Sequence, residues 1–275
     1  MTTLFDAYGI HLGPLYIHFY ALILGLGIFA GTWFVARRAK QFGIAADIVW
    51  DALSWAFVPG ILGARLYHVL TPTPASGITT QYYLEHPLEI LAIWNGGLGI
   101  YGAIIGGALG LWLYTRRYHL SLRRLLDLAV PGILIAQAIG RWGNFVNQEL
   151  YGAPSTLPWA IPISPEHRVA GYEQYSTFQP LFLYESIWNL ISLGIILQIE
   201  RHFRERLRDG DLMAIYLMFY ATGRFLLDFV RLDSNGIGPL TTAQWLSATI
   251  FVVAGVILFV RHRRPVDNVT PNPSP

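Results

Sequence analysis

The sequence predicts an all-α integral membrane protein with seven transmembrane helices, the N-terminus outside and the C-terminus cytoplasmic. Three observations carry that expectation. Of its 275 residues, 53% are hydrophobic and 13% charged, against about 25% charged in an ordinary soluble domain. Seven segments are long and apolar enough to cross a hydrocarbon core of about 30 Å. The basic residues crowd onto alternate connections between those segments.

The spans are expected at roughly 17–36, 48–70, 97–115, 125–141, 180–199, 212–230 and 243–260. The opening stretch MTTLFDAYGIHLGPLYIHFY lacks the basic start and small-residue cleavage site of a signal peptide, so the first span is expected to be retained. In the third, Gly102, Gly106 and Gly110 make a small-xxx-small face suited to close helix packing. The fourth is the weakest, because polar residues interrupt both of its ends. The connections 71–96 and 142–179 are rich in Pro, Gly and Tyr and are expected as ordered outward loops with short interfacial helices. With no repeat and no linker, residues 1–275 read as a single polytopic domain.

Charge sets the orientation. Arg37, Arg38 and Lys40 lie in the first connection, Arg116, Arg117, Arg123 and Arg124 in the third, Arg201, Arg204, Arg206 and Arg208 in the fifth, and Arg261, Arg263 and Arg264 in the tail. By the positive-inside rule that side is cytoplasmic. Five basic residues remain, Arg65, Arg141, Arg168, Arg224 and Arg231, all expected in the outer half. An ionised group at membrane depth costs several kcal/mol unless it is paired or faces water. Arg224, Asp228 and Arg231 have i, i+4, i+7 spacing and are expected to share one helix face.

The most polar stretch is GRWGNFVNQELYG, Gly140 to Gly152. Arginine's planar fork binds phosphate bidentately and keeps its charge at any relevant pH. Arg141 is followed by Asn144 and Asn147, which both donate and accept, and by Glu149 and Gly152. The stretch is expected to break the helix at the membrane surface and line a cavity. Asp127, Glu149, Glu185 and Asp228 are the acids available to hold the arginines. Gly96, Gly97 and Gly99 permit a tight turn at the same level, with Tyr101 close behind, and His18, Tyr20 and Tyr184 lie at that depth too. Convergent arginines facing outward suggest an anionic lipid head group.

These residues resemble the phosphatidylglycerol–prolipoprotein diacylglyceryl transferase family over nearly the whole chain. GRWGNFVNQELYG is similar to the family signature at Gly140, Arg141, Gly143, Asn144, Phe145, Asn147, Glu149 and Gly152. Tyr20, GAR (Arg65), the stretch from Gly96, Asp127, LYE (Glu185) and GRF-x-x-D-x-x-R (Arg224, Asp228, Arg231) follow in family order. Many members carry a histidine where this chain has Tyr101. The resemblance implies transfer of an sn-1,2-diacylglyceryl group from phosphatidylglycerol to a lipobox cysteine thiol of a prolipoprotein signal peptide, leaving a thioether and glycerol phosphate. It implies catalytic roles for Arg141, Arg224, Tyr101, Glu149 and Asn144. Substrate contacts would involve Arg141, Tyr20, His18, Arg65, Asn147, Gly96, Gly97, Gly152, Asp127, Glu185, Asp228 and Arg231. The acceptor of the thiol proton stays open between a tyrosine and a carboxylate. It also implies a bacterial cytoplasmic (inner) membrane setting, with the site on the outer side.

The rest of the composition bounds the chemistry. There is no cysteine, so disulfides, thiolate metal sites and a cysteine nucleophile are excluded, and any reacting thiol belongs to a substrate. No metal-ligand spacing such as HExxH occurs; no cofactor or nucleic acid is expected, and no oligomeric partner is evident. A transporter would suit a polar cavity, but no inverted repeat supports it. An intramembrane serine protease lacks a GxSxG-like serine.

Overall fold

The structure is a computed structural model that describes residues 6–13, 15–72, 78–232 and 236–263. Arg264, expected among the cytoplasmic cations, lies outside the described residues. The long helices are α1 (Phe19–Ala39), α2 (Ala46–Leu70), α4 (Ile100–Arg117), α5 (Leu122–Val146), α6 (Leu181–His202), α7 (Asp211–Leu227) and α8 (Thr242–Arg263); α3 (Thr80–Glu85) is short. A long helix thus stands at each expected span. Four stretches, Phe19–Phe42, Leu181–His202, Asp211–Val230 and Thr242–Arg263, are long and apolar enough to cross a membrane. Of the other three long helices, α2 holds Asp47, Asp51 and Arg65, α4 holds Arg116 and Arg117, and α5 holds Arg123, Arg124, Asp127 and Arg141.

The chain divides into two compact units. One comprises residues 1–31 and 130–275, the other residues 32–129.

In the second unit α2 packs along α4, and the glycine face does what its spacing predicts. A β-carbon at Gly102, Gly106 or Gly110 would overlap the carbonyl oxygen of Gly63, Pro59 or Trp55 respectively. Pro59 lies inside α2 and leaves the Trp55 carbonyl without its usual donor one turn on. Gly110 lies against that same oxygen, where a Cα–H···O contact can take the donor's place. A core of Val35, Ala36, Ala39, Val49, Ala52, Tyr114, Leu125 and Leu128 closes one end. Thr79 caps α3 by accepting from the Tyr82 amide at 3.3 Å.

In the first unit Gly27 and Gly31 bring α1 against the Ala136 and Gly132 carbonyls of α5, while α6, α7 and α8 follow in order. Val130, Leu134, Ile196, Leu212 and Tyr216 form the main core. A small second core of Tyr151, Ile163 and Phe178 organises the loop between α5 and α6. That loop carries the two-residue ladder of β3 (Ile161–Pro162) and β4 (Thr177–Phe178). The antiparallel hairpin β1 (Gly9–Leu12) and β2 (Leu15–His18) leads into α1, and Tyr8 ties it to the loop with a 2.7 Å hydrogen bond to His167. Burial holds the Tyr151 phenol above its ordinary range, and it donates to the His167 carbonyl at 2.7 Å.

The polar stretch departs from expectation. The helix does not break at Gly140 or Gly143; α5 runs on to Val146. The break comes afterwards and uses non-glycine residues, Gln148 at φ 51° and Leu150 at φ 53°. Left-handed backbone at such residues costs about 1–3 kcal/mol and needs fixing from outside. Gln148 provides part of that by accepting the Ser164 amide through its side chain at 2.7 Å.

Candidate active site

The first unit gathers Arg141, Asn144, Glu149, Glu185, Arg224, Asp228 and Arg231. Because α5 continues past Arg141, Asn144 stands nearly one turn further on the same helix. The glycine between them has a packing reason, since a β-carbon at Gly143 would sit 2.6 Å from the Tyr20 ring. Tyr20 therefore lies flat against α5 beside Arg141. Beyond the helix end the chain curls back, and Asn144 donates to the Glu149 carboxylate at 2.8 Å. Asn147 reaches the same oxygen at 3.5 Å. The Asn144 side-chain Oδ1 accepts from Arg141 Nη1, also at 3.5 Å.

Glu185 takes two arginines. Its Oε2 is 2.8 Å from Arg141 Nε, and its Oε1 is 3.9 Å from Arg231 Nη1. The carboxylate is nearly buried, with 10% of the side chain exposed, while Arg141 keeps 29%. The pairing fixes the plane of the Arg141 guanidinium and leaves its far edge for another anion. Arg224 is held in the same manner by Asp228, at 3.2 Å.

The expectation that Arg224, Asp228 and Arg231 share one helix face is corrected. α7 ends at Leu227, a 3-10 turn covers Asp228–Val230, and Arg231 is extended. The switch turns Arg231 away from Asp228 and towards Glu185. Arg231 is bridged there to Gly152, where a β-carbon would come within 3.1 Å of the Gln179 side chain and 3.2 Å of the Val230 carbonyl. Gly152 thus lets the loop after α5 meet the segment after α7.

A small cleft, open to the outside, lies among these helices. Arg141 and Arg224 both line it, with Gln137 from α5, Trp188 and Asn189 from α6 and Tyr220 from α7. None of those last four was singled out from sequence. The missed signal is helical spacing: Gln137 precedes Arg141 by four residues, Tyr220 precedes Arg224 by four, and Trp188 and Asn189 follow Glu185 by three and four. Gly223 makes room for the Trp188 indole, which donates to the Phe219 carbonyl at 2.9 Å.

Not every expected residue joins this group. His18 ends β2, exposed, with its ring edge-on to Tyr16 at 4.5 Å. Asp127 lies near the start of α5, beside Arg123 and Arg124, while Arg141 lies near its end. Tyr184 accepts from Trp159 Nε1 at 2.8 Å. Arg168 is spent on its own loop, donating to the Ile163 carbonyl at 2.9 Å and the Glu173 carbonyl at 2.8 Å.

In the second unit Arg65 is buried. Its Nε donates to the Ile90 carbonyl at 2.9 Å, Nη1 to those of Gly96 at 2.8 Å and Gly97 at 3.2 Å, and Nη2 to that of Glu89. Four backbone carbonyls thus occupy its donors, and its plane lies 5.3 Å from the Tyr83 ring centre. Arg65 thus grips the loop before α4. Gly96 and Gly97 have φ of 79° and 70°, as the tight turn requires. A β-carbon at Gly97 would strike the His68 ring at 2.5 Å. Tyr101, half exposed at the start of α4, packs on Tyr67 with ring centres 5.7 Å apart. Among the described residues no cluster of side chains could hold a metal ion.

Comparison with known proteins supplies the context for this geometry. Residues 7–261 match the family model described as prolipoprotein diacylglyceryl transferase. A relative from Frankia alni, named phosphatidylglycerol–prolipoprotein diacylglyceryl transferase, is 46% identical over 94% of this chain and 66% of its own length. Relatives of the same name from Chloroflexus aggregans, at 40% identity, and Gloeobacter violaceus, at 39%, cover 92% and 95% of this chain and 87% and 95% of their own. The chain therefore spans just under two thirds of the Frankia alni protein and nearly all of the Gloeobacter violaceus one.

Proposed function

We propose, for a chain that belongs to the prolipoprotein diacylglyceryl transferase family, that it moves an sn-1,2-diacylglyceryl group from phosphatidylglycerol to the lipobox cysteine of a prolipoprotein. The observation that carries the proposal is the pairing of Arg141 and Arg224 on one cleft, each held from behind by a nearly buried carboxylate.

The product is a thioether without phosphate, so the bond that breaks joins the terminal glyceryl carbon to a phosphate oxygen. The substrate sulfur attacks that carbon, and the bonding pair departs on the phosphate as glycerol phosphate. Arg141 and Arg224 bind the phosphate in the ground state and neutralise the charge that grows on the leaving oxygen, the kind of preorganised stabilisation that dominates many enzymes. A thiolate is a far better nucleophile than a thiol, and two guanidinium groups favour it. Its proton goes to a tyrosine or a carboxylate; Tyr20 and Glu149 lie on the Arg141 side. Asn144 and Asn147 keep Glu149 in place. Arg65 acts by shaping the Gly96–Gly97 turn.

The same proposal includes seven membrane spans, N-terminus outside, in a bacterial cytoplasmic membrane, with the site on the outer side where exported prolipoproteins arrive. The charged ends of α2, α4 and α5 meet water or protein rather than lipid in that arrangement.

The test uses the purified chain in phosphatidylglycerol vesicles with a lipobox peptide. The peptide is expected to gain the mass of one diacylglyceryl group, and Arg141→Ala, with helicity by circular dichroism unchanged, to lose turnover by at least 100-fold. Equal turnover by Arg141→Ala would end the role assigned to that residue, and no mass gain with the unmodified chain would end the proposal.

A further inference from the structure

We propose that Thr241, at the start of α8, is a positioning residue for Arg224, acting through Asp228, so that the cap of the last helix sets the aim of a phosphate-binding arginine. The inference rests on the proposed function and goes beyond it, since neither Thr241 nor its partner Gln244 belongs to the cleft.

The contacts form an unbroken chain. Asp228 is buried, and its Oδ1 faces Arg224 Nη2 at 3.2 Å. Its Oδ2 accepts the Thr241 hydroxyl in a short hydrogen bond. Thr241 immediately precedes α8 and is half of a reciprocal cap. Its Oγ1 accepts the Gln244 amide at 3.0 Å, and the Gln244 side-chain oxygen accepts the Thr241 amide at 3.0 Å. This is the T-x-x-Q capping box, in which two free helix-end donors satisfy each other's side chains. Gln244 is itself 2% exposed, and its Nε2 reaches back 3.4 Å to the carbonyl of Phe225, the neighbour of Arg224.

Direction matters here. A hydroxyl has one proton. Because the Gln244 amide already donates to Thr241 Oγ1, the hydroxyl proton is free to point at Asp228. The box therefore fixes Thr241 as a donor to the carboxylate, and the carboxylate, held on one oxygen, has its other oxygen fixed for Arg224. A cap alone does not need a buried carboxylate, and an ion pair alone does not need a cap. Their connection gives α8, which contributes nothing to the lining of the cleft, a say in where Arg224 points.

The experiment measures initial rates with the full chain in mixed vesicles, varying phosphatidylglycerol and lipobox peptide separately. Thr241→Val keeps the shape and removes the hydroxyl; Thr241→Ser restores it. The valine variant is expected to raise KM for phosphatidylglycerol about tenfold, with KM for the peptide within twofold, and the serine variant to return to within threefold. A merely structural cap would lower the active fraction and hence kcat, leaving both KM values unmoved; that pattern overturns the proposal, as does failure of serine to rescue. Should the valine variant not fold, Gln244→Ala, which unbraces Thr241, takes its place, expected to raise the lipid KM about threefold; an unchanged KM in folded protein counts against the idea. If the unmodified chain transfers nothing, the proposed function falls, and glycerol phosphate titrated calorimetrically reads the relay by itself. Tenfold weaker binding by Thr241→Val supports it, and equal binding overturns it.

Discussion

Glu185 is the residue on which the charge balance of the cleft turns. It is a single carboxylate between Arg141 and Arg231, and removing one member of a buried pair typically costs about 3–5 kcal/mol. Glu185→Ala is expected to lower the melting temperature in detergent by roughly 5–15 °C and to abolish transfer, because both arginines lose their anchor. Glu185→Gln, which keeps size and one acceptor, should retain more stability than activity. Loss of stability with transfer intact would separate Glu185 from the chemistry. At this scale the sequence was informative about residues whose type is expensive: an arginine or acid in an apolar segment announces itself. Arg141, Glu185, Arg224 and Asp228 were legible for that reason. Gln137, Asn189 and Tyr220 were not, since an amide or phenol in a helix has many inexpensive explanations and only its neighbour one turn away gives it meaning. The carbonyls that Arg65 holds were not legible either, because they come from a loop 24 to 32 residues away.

Helix positions were legible from apolar runs to within a few residues, while helix ends near the cleft were not. α5 was expected to stop near Arg141 and continues to Val146, because Gly143 serves contact with Tyr20 and not a turn. α7 was expected to reach about residue 230 and stops at Leu227, because the Gly152 bridge and the pull of Glu185 come from elements distant in sequence. The α2–α4 contact follows directly from small residues, so Gly106→Leu is expected to be severely destabilising: its side chain would collide with the backbone at Pro59. Gly107, on the next face with a nearest neighbour at 3.3 Å, should take alanine with a change of about 1 kcal/mol or less. Melting of the two variants side by side checks the assignment, and equal tolerance would refute it. The β1–β2 hairpin has its own dependence on pH. Hydrogen bonds from the Tyr8 amide, and also from His11, Tyr16 and the Gly9 amide, hold the Asp6 carboxyl well below the usual carboxylate range. Since the folded value is depressed, this support is fully present above the unfolded value of about 4 and is lost as pH falls through the lower folded value. Protection of the Tyr8 and Gly9 amides from exchange should therefore be the same at pH 7 and pH 5, and Asp6→Asn should reduce it at both.

For the molecule as a whole, the two compact units each keep arginines away from the main basic clusters but use them oppositely. In one, Arg141 and Arg224 remain partly exposed on a cleft; in the other, Arg65 is consumed by the loop it organises. The proposed orientation makes a prediction at this scale. A reporter active only in the cytoplasm should work when fused after Arg261 and fail when inserted at Gly171, in the loop between α5 and α6; the reverse result would invert the orientation. The division falls inside α1 and α5, each of which contributes residues to both units.

The grip of Arg65 has a consequence for how the chain opens. Four carbonyls spread over residues 89–97 depend on one side chain, and the Gly99 amide closes onto Ala64 at 2.9 Å beside it. Withdrawing the guanidinium removes a donor from all four carbonyls together, so the stretch should behave as one cooperative unit of local unfolding. Lysine, with a point charge and no planar fork, cannot span those acceptors. Arg65→Lys should therefore turn a single slow opening event into independent fluctuations, seen as amides from Ala92 to Gly99 that exchange at different rates where before they exchanged at one.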